Sequence, residues 1–262
     1  MSDEEVSEGA ESAEEQVAED QWDFYFQTVD GAPASIMLDF SFDGYAPMEG
    51  FSKLTMVFVD MEAPGENGLG DQGEADGFEA VEAALHAGVE ALGCYFVGRA
   101  RTGSQWHLSF YGPADVDAEA AASGILEEQG RDHSTVSQDD PEWNYYTQFL
   151  IPSAERRRWM GDRNVVQALA GAGDDGTKTR AIDHFVMFRT TQQRQAFVSS
   201  AKEAGFTTIN TDEEEGEWKH SVKATRKDTA NLEHIHTVTM SVTKMAEECE
   251  GWYDGWGCPP KL

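Results

Sequence analysis

From Trp22 onward, apolar and polar residues alternate in short runs whose period switches between that of a strand and that of a helix. "WDFYFQTV" and "ASIMLDFSF" are aromatic and β-branched runs separated by the turn signal "DGAP", which predicts a hairpin. "KLTMVFVDM" is a strand whose continuous apolar character predicts burial on both faces. After the loop "PGENGLGDQGE", the stretch "FEAVEAALHAGVEAL" places Phe78, Val81, Leu85, Val89 and Leu92 on one helical stripe. Strands "CYFVGRART" and "SQWHLSFYG" follow, with Thr102-Gly103 as a tight turn between them. Next come a helix in "DVDAEAAASGILEE", a long polar loop and a strand in "EWNYYTQFLI". From Lys53 the order is strand, helix, strand, strand, helix, strand, the split βαβ or ferredoxin-like order.

"SAERRRWMGDRNVVQALAGAG" reads as a connecting helix, with Ser153 and Glu155 suited to its first turn and Gly171 and Gly173 to its end. "DDGTKTR" is a polar linker, and the boundary is expected near Asp174. The same order then recurs. "RAIDHFVMFRT" is a strand, "TQQRQAFVSSAKEAG" a helix, and "FTTINT" and "EWKHSVKATRKD" are strands joined by the acidic turn "DEEEGE". In "NLEHIHTVTMSVTKMAEECEG", Val238, Met240 and Val242 alternate like a strand. Leu232, Ile235, Val238, Val242, Met245 and Cys249 form a helical stripe, and length with the terminal Gly251 favours the helix. "GWYDGW" is then the sixth element, a strand whose rings alternate between a helix-covered face and an outer one.

The expected fold class is α+β: two ferredoxin-like (split βαβ) α/β-sandwich domains with antiparallel sheets, the first extended by an N-terminal β-hairpin. Residues 1–20 form an acidic solvated tail, 21–173 the first domain and 174–262 the second. With 40% apolar and 11% aromatic residues among 262, the chain is expected to be globular. No apolar run approaches the ~20 residues that span a bilayer. The start "MSDEEVSEGAESAEEQVAED" is the opposite of a signal peptide, so the expected location is cytoplasmic, with no membrane partner.

A formal charge of −30 argues against direct binding of nucleic acid, which needs a basic stripe, and favours a basic protein partner. Service to solubility, for instance in a salty cytoplasm, is the alternative. Cys94, Cys249 and Cys258 fit reduced thiols. Neither cofactor nor metal is expected: H-E-x-x-H and Cys-x-x-Cys are missing, and His234 and His236 point to nearly opposite sides of a helix. Asp183 and His184 are neighbours on a strand, so one packs under a helix and the other faces solvent. "GENGLGDQG" is glycine-rich but wrapped in acids that would repel phosphate. Nucleophilic catalysis lacks an obvious base. Tyr25, Phe26, Trp143, Tyr145, Tyr146, Trp218, Trp252 and Trp256 are read first as core or sheet-face residues; an open aromatic face with an acidic rim suits a protein contact.

"RAIDHFVMFRTTQQRQAFVSSAKEAGF" with the ending "GWYDGWGC" resembles the regulator of ribonuclease E activity B (RraB) family, over roughly Arg180 to Cys258. The Asp-His pair and the Tyr-Asp-Gly-Trp ending are its most specific marks. Upstream, "DGAPASIMLDFSF", "PGENGL", "VGRARTGSQWHLSFY" and "DPEWNYYTQFLIPS" resemble domain of unknown function 695. The resemblance implies a small acidic cytoplasmic bacterial regulator that binds ribonuclease E and inhibits its cleavage, with no catalytic residues to carry over. Candidate partner-binding residues are Asp183 or His184, whichever faces solvent, Glu213 and Glu214 of the acidic turn, and Tyr253, Asp254 and Trp256. Asp254-Gly255 is read first as a bulge or turn. Alternatives are an acidic nucleic-acid mimic acting on another enzyme, and a metal-dependent hydrolase using His184, His220 and His234 or His236. A homodimer stays open.

Overall fold

Asp30 and Gly31 take positive φ (49° and 84°), the conformation a two-residue hairpin turn with the right-handed strand twist demands. They fold β1 (Trp22–Val29) back on β2 (Ala32–Asp39), with Val29 opposite Ala32. This hairpin begins the first of two units, residues 1–152 and 153–262, in a computed structural model that describes residues 20–210 and 216–261. The acidic tail expected over residues 1–20 therefore lies outside the described residues, Asp20 aside.

The first unit continues with β3 (Lys53–Asp60), α1 (Gln72–Glu90), β4 (Tyr95–Thr102), β5 (Gln105–Gly112), α2 (Ala118–Glu128) and β6 (His133–Asp139). Its six-stranded antiparallel sheet runs β1-β2-β4-β5-β3-β6, so the split βαβ order is present and the hairpin extends it through β2. Asp71 caps α1 by accepting from the Glu74 amide. Phe78, Val81, Leu85 and Val89 face the sheet as the 3.6-residue period requires, whereas Leu92 falls beyond the helix end and is exposed. The turn between β4 and β5 is Gly103-Ser104, both at positive φ, one residue later than Thr102-Gly103.

One strand lies elsewhere than its pattern suggested. The sixth strand is His133–Asp139, inside the stretch expected as a polar loop, and "EWNYYTQFLI" contains instead a π-helical turn at Tyr145–Leu150. β6 is an edge strand paired to β3, with Thr135 bonded to Ser123 of α2, so it needs little apolar character. Trp143, Tyr146 and Leu150 are spaced as a helix face and fully buried. Asp140 fixes the turn by accepting from the Asn144 and Tyr145 amides and the Tyr111 hydroxyl. Trp143 stacks on Tyr111 at 4.0 Å.

The second unit is α3 (Ala154–Gly171), β7 (Arg180–Phe188), α4 (Thr191–Glu203), β8 (Thr207–Asn210), β9 (His220–Asp228), α5 (Leu232–Glu248) and β10 (Trp252–Gly257). Its antiparallel sheet runs β10-β7-β9-β8, again the split βαβ order. α4 opens with a capping box from Thr190 and Gln193. α5 is helical throughout, its stripe Ile235, Val238, Val242 and Ala246 packed with Ile182, Val186, Phe188 and Phe197 in one core. The division between the units falls at Pro152/Ser153 rather than near Asp174, because Leu169 of α3 belongs to this core and Asp162 bonds to α5 and β10. The linker "DDGTKTR" is likewise built in, with Asp174 buried against Arg180 and bonded to the Gly176 and Lys261 amides.

Candidate functional site

β7 sorts its side chains by the two-residue period. Arg180, Ile182, His184, Val186 and Phe188 turn toward the helices and are buried, while Ala181, Asp183, Phe185 and Met187 lie on the opposite face. His184 is the inward member of the Asp183/His184 pair and Asp183 the solvent-facing one. The imidazole Nδ1 lies 2.8 Å from the Tyr253 hydroxyl, and Phe206 meets the ring edge-on. Its Nε2 is buried without a partner. Burial, reinforced by the Arg226 charge, pushes the imidazole down to about 4, so it is neutral near pH 7.

β10 pairs with β7 through a bulge: Tyr253 faces Val186, Gly255 faces Phe185, and the register shifts between them. The extra residue turns both Tyr253 and Trp256 inward, although they stand three apart. Asp254-Gly255 is the bulge, with Gly255 at φ 152°. Burial, with the nearby Asp162 charge, raises the Tyr253 hydroxyl well above the usual phenol range. The Arg158 guanidinium lies over the Tyr253 ring at 4.4 Å and donates to its carbonyl at 2.9 Å.

Beneath Trp256 is a residue that sequence reasoning did not single out. Asp162 of α3, almost wholly buried, accepts from Trp256 Nε1 at 2.9 Å, Thr239 Oγ1 at 2.6 Å and His236 Nδ1 at 2.8 Å. It ties α3, α5 and β10 together. The signal was present: Asp162 occupies an apolar position of the stripe running through Trp159, Val166 and Leu169, where a carboxylate needs donors.

The candidate residues thus separate. His184, Tyr253 and Trp256 are 0%, 3% and 7% exposed and hold the fold together, so none presents a surface to a partner. Asp183 is half-exposed, accepts from Thr225 Oγ1 and pairs with Lys223 at 3.3 Å. Asp254 is exposed. Glu213 and Glu214 lie outside the described residues. The structure brings His184 and Tyr253 together and leaves Asp183 and Asp254 on the exterior.

Three of the four histidines of the hydrolase reading are engaged separately, His184 with Tyr253, His234 with Asp228 and His236 with Asp162, and His220 is buried at the start of β9. Among the described residues no three His, Cys, Asp or Glu side chains are grouped to hold a metal ion. Burial raises the thiols of Cys94, Cys249 and Cys258, which keeps them from the thiolate form a nucleophile needs. A groove of about 490 Å³ runs between α3, α5 and β10, lined by Arg157, Arg158, Lys244, Glu155, Glu247 and Asp254 among others. Its cations and anions balance.

Charge divides sharply between the units. Residues 1–152 contain 32 Asp and Glu against 4 Lys and Arg, whereas residues 153–262 contain 17 against 15. The formal charges are −28 and −2, so nearly all the acidity sits in the first unit.

A family model described as "Family of unknown function (DUF695)" matches residues 20–151 of this chain, and one described as "Regulator of ribonuclease activity B" matches residues 159–258. The second match spans the whole split βαβ of the second unit. No curated protein matches the chain. Among solved structures, an unknown protein from Galdieria sulphuraria is 8% identical, over 78% of this chain and 96% of its own, at a TM-score of 0.22. A putative glycine cleavage system transcriptional repressor is 10% identical, over 78% and 96%, at a TM-score of 0.19. Likenesses this low carry no argument about function. No helix of the described residues is long and apolar enough to cross a membrane.

Proposed function

Since this chain belongs to the family of unknown function DUF695, and its second unit matches regulator of ribonuclease activity B, we propose that it is a non-catalytic regulatory protein. It binds ribonuclease E, or a related RNA-processing enzyme, in the cytoplasm and inhibits cleavage. The observation that carries this reading is the match over residues 159–258, which coincides with one complete folded unit. The chemistry is in keeping: groups that could do acid–base work, His184, Tyr253 and Asp162, bond to one another or to the core. The first unit, at −28, supplies the electrostatic attraction to a basic enzyme, and the second supplies contact.

The test is a cleavage assay. Purified chain added to ribonuclease E and a fluorogenic RNA is expected to slow cleavage, with direct binding seen by calorimetry. Unchanged cleavage and no heat of binding would remove the proposal. The concentration of acid in the first unit also favours a second reading, in which that unit occupies a nucleic-acid site as a mimic. Competition separates the two: a mimic raises the KM for RNA, whereas a regulator seated elsewhere lowers kcat.

A further inference from the structure

The core that α1 and α2 close in the first unit is built on β3, β4 and β5. Among the described residues, β1 stays outside it and β2 adds only the half-buried Met37. The helix-facing side of the hairpin is therefore open. Phe24 and Phe26 stand on it 37% and 50% exposed, their rings edge to face at 5.7 Å. Register continues this ledge inward in two rows. Phe24 lies beside Met37 and Arg99, and Phe26 beside Ser35 and Arg101. The rows end on β5, with Arg99 opposite Leu108 and Arg101 opposite Trp106.

Two cations meet there. The guanidinium carbons of Arg99 and Arg101 lie 5.2 and 5.3 Å from the centre of the same Trp106 ring. Like charges this close and partly buried raise each other's energy unless an anion joins them. Glu82 of α1 bonds Arg99, and its other oxygen, Oε1, is buried without a hydrogen-bond partner. Arg101, among the described residues, bonds to no carboxylate, although the unit carries a formal −28. Burial and the Arg99 charge push its guanidinium below the usual value, as expected of a cation short of counter-charge. Two arginines and one glutamate leave the cluster at +1.

That remaining charge chooses the ligand. A carboxylate carries one negative charge and matches the planar guanidinium fork. A phosphate or a nucleic-acid strand brings more, into a unit that already repels anions at long range. Ser35, the smallest side chain of its row, stands between Arg101 and Phe26, which are two strand spacings, about 10 Å, apart. An aromatic ring bearing a carboxylate fits that reach, its ring against Phe26 and its charge on Arg101.

We propose that this open face of the first unit binds a small aromatic carboxylate, its charge on Arg101 and Arg99 and its ring over Ser35 against Phe26. Every residue involved lies in the first unit, so the proposal is independent of the regulator reading.

The test uses the full chain and benzoate, followed by titration and by NMR of the arginine Nε–H groups. Benzoate is expected to bind with a Kd of about 1 mM, as its few atoms allow, and to shift the Arg101 signal. Benzamide has the shape without the charge, and acetate the charge without the ring; each should bind about tenfold more weakly. Arg101→Gln should weaken benzoate by about tenfold, and Phe26→Ala, at an exposed position, by about threefold. Lys202→Gln, exposed on the second unit, removes the same charge and should leave binding unchanged. Circular dichroism checks that each variant folds; if Arg101→Gln does not, Phe26→Ala decides. No binding at about 10 mM benzoate overturns the proposal. So does affinity that ignores either Arg101→Gln or Phe26→Ala, acetate or benzamide bound as tightly as benzoate, or inorganic phosphate bound more tightly.

Discussion

His184 Nδ1 sits 2.8 Å from the Tyr253 hydroxyl, which joins the inner faces of β7 and β10 by a side-chain bond besides the backbone ladder. The folded chain keeps this imidazole neutral, at about 4, while in the unfolded chain it takes up a proton near pH 6.5. Protons therefore bind preferentially to the unfolded state between these values. Stability from this group is full above pH 6.5 and lost as pH falls toward 4. Between pH 7.5 and 5 the wild type should lose about 2 kcal/mol that His184→Leu does not. Urea midpoints of both proteins at the two pH values measure the difference; parallel losses would sink the claim.

Tyr253→Phe removes the hydroxyl and leaves both imidazole nitrogens of His184 without partners, since Nε2 already has none. A cost of about 1–3 kcal/mol is expected, with the fold retained by circular dichroism.

Asp162→Ala should be more severe, at about 3–5 kcal/mol, because three donors from α5 and β10 lose their common acceptor. Asp162→Asn keeps one acceptor oxygen and should cost less. Thermal unfolding followed by tryptophan fluorescence ranks the two.

Glycines at two positions predict opposite signs. A Cβ at Gly251 would lie 2.2 Å from the Phe188 ring, inside the second core, so Gly251→Ala is expected to destabilise by about 1–3 kcal/mol. Gly161, within α3, has open space around its added Cβ, and Gly161→Ala should stabilise by about 0.5–1 kcal/mol. Chemical denaturation of both variants decides.

Binding to ribonuclease E should weaken as salt rises, chiefly through a slower association rate, because the first unit carries −28. Stopped-flow rates at graded salt would show it; a flat dependence removes charge from the account of association.

Periodicity carried most of this fold, including the helical choice for α5 despite its β-branched residues and the strand at Trp252–Gly257. It failed where context outweighs pattern. β6 lies at a sheet edge, so its polar residues gave no strand signal, and the aromatic "WNYYTQFL" looked like a strand although Asp140 and the core bend it into a helical turn. The site was legible in part. The two-residue period assigned Asp183 and His184 to opposite faces but could not say which was inside. Tyr253 and Trp256 were visible as a motif, yet their shared inward face depends on a bulge. Asp162 went unmarked because its donors lie 74 to 94 residues away in the chain. Total charge concealed how unevenly it is shared.

The irregularity at Asp254 has a bearing on how this tail tolerates change. An inward Trp256 owes its place to one additional residue, not to its own chemistry, so shortening the segment by a single codon would swing the indole outside and leave Asp162 Oδ1 without its indole donor. A swap of side chain at the same spot leaves that phasing intact. The ending is thus sensitive to spelling length where it is forgiving of letters.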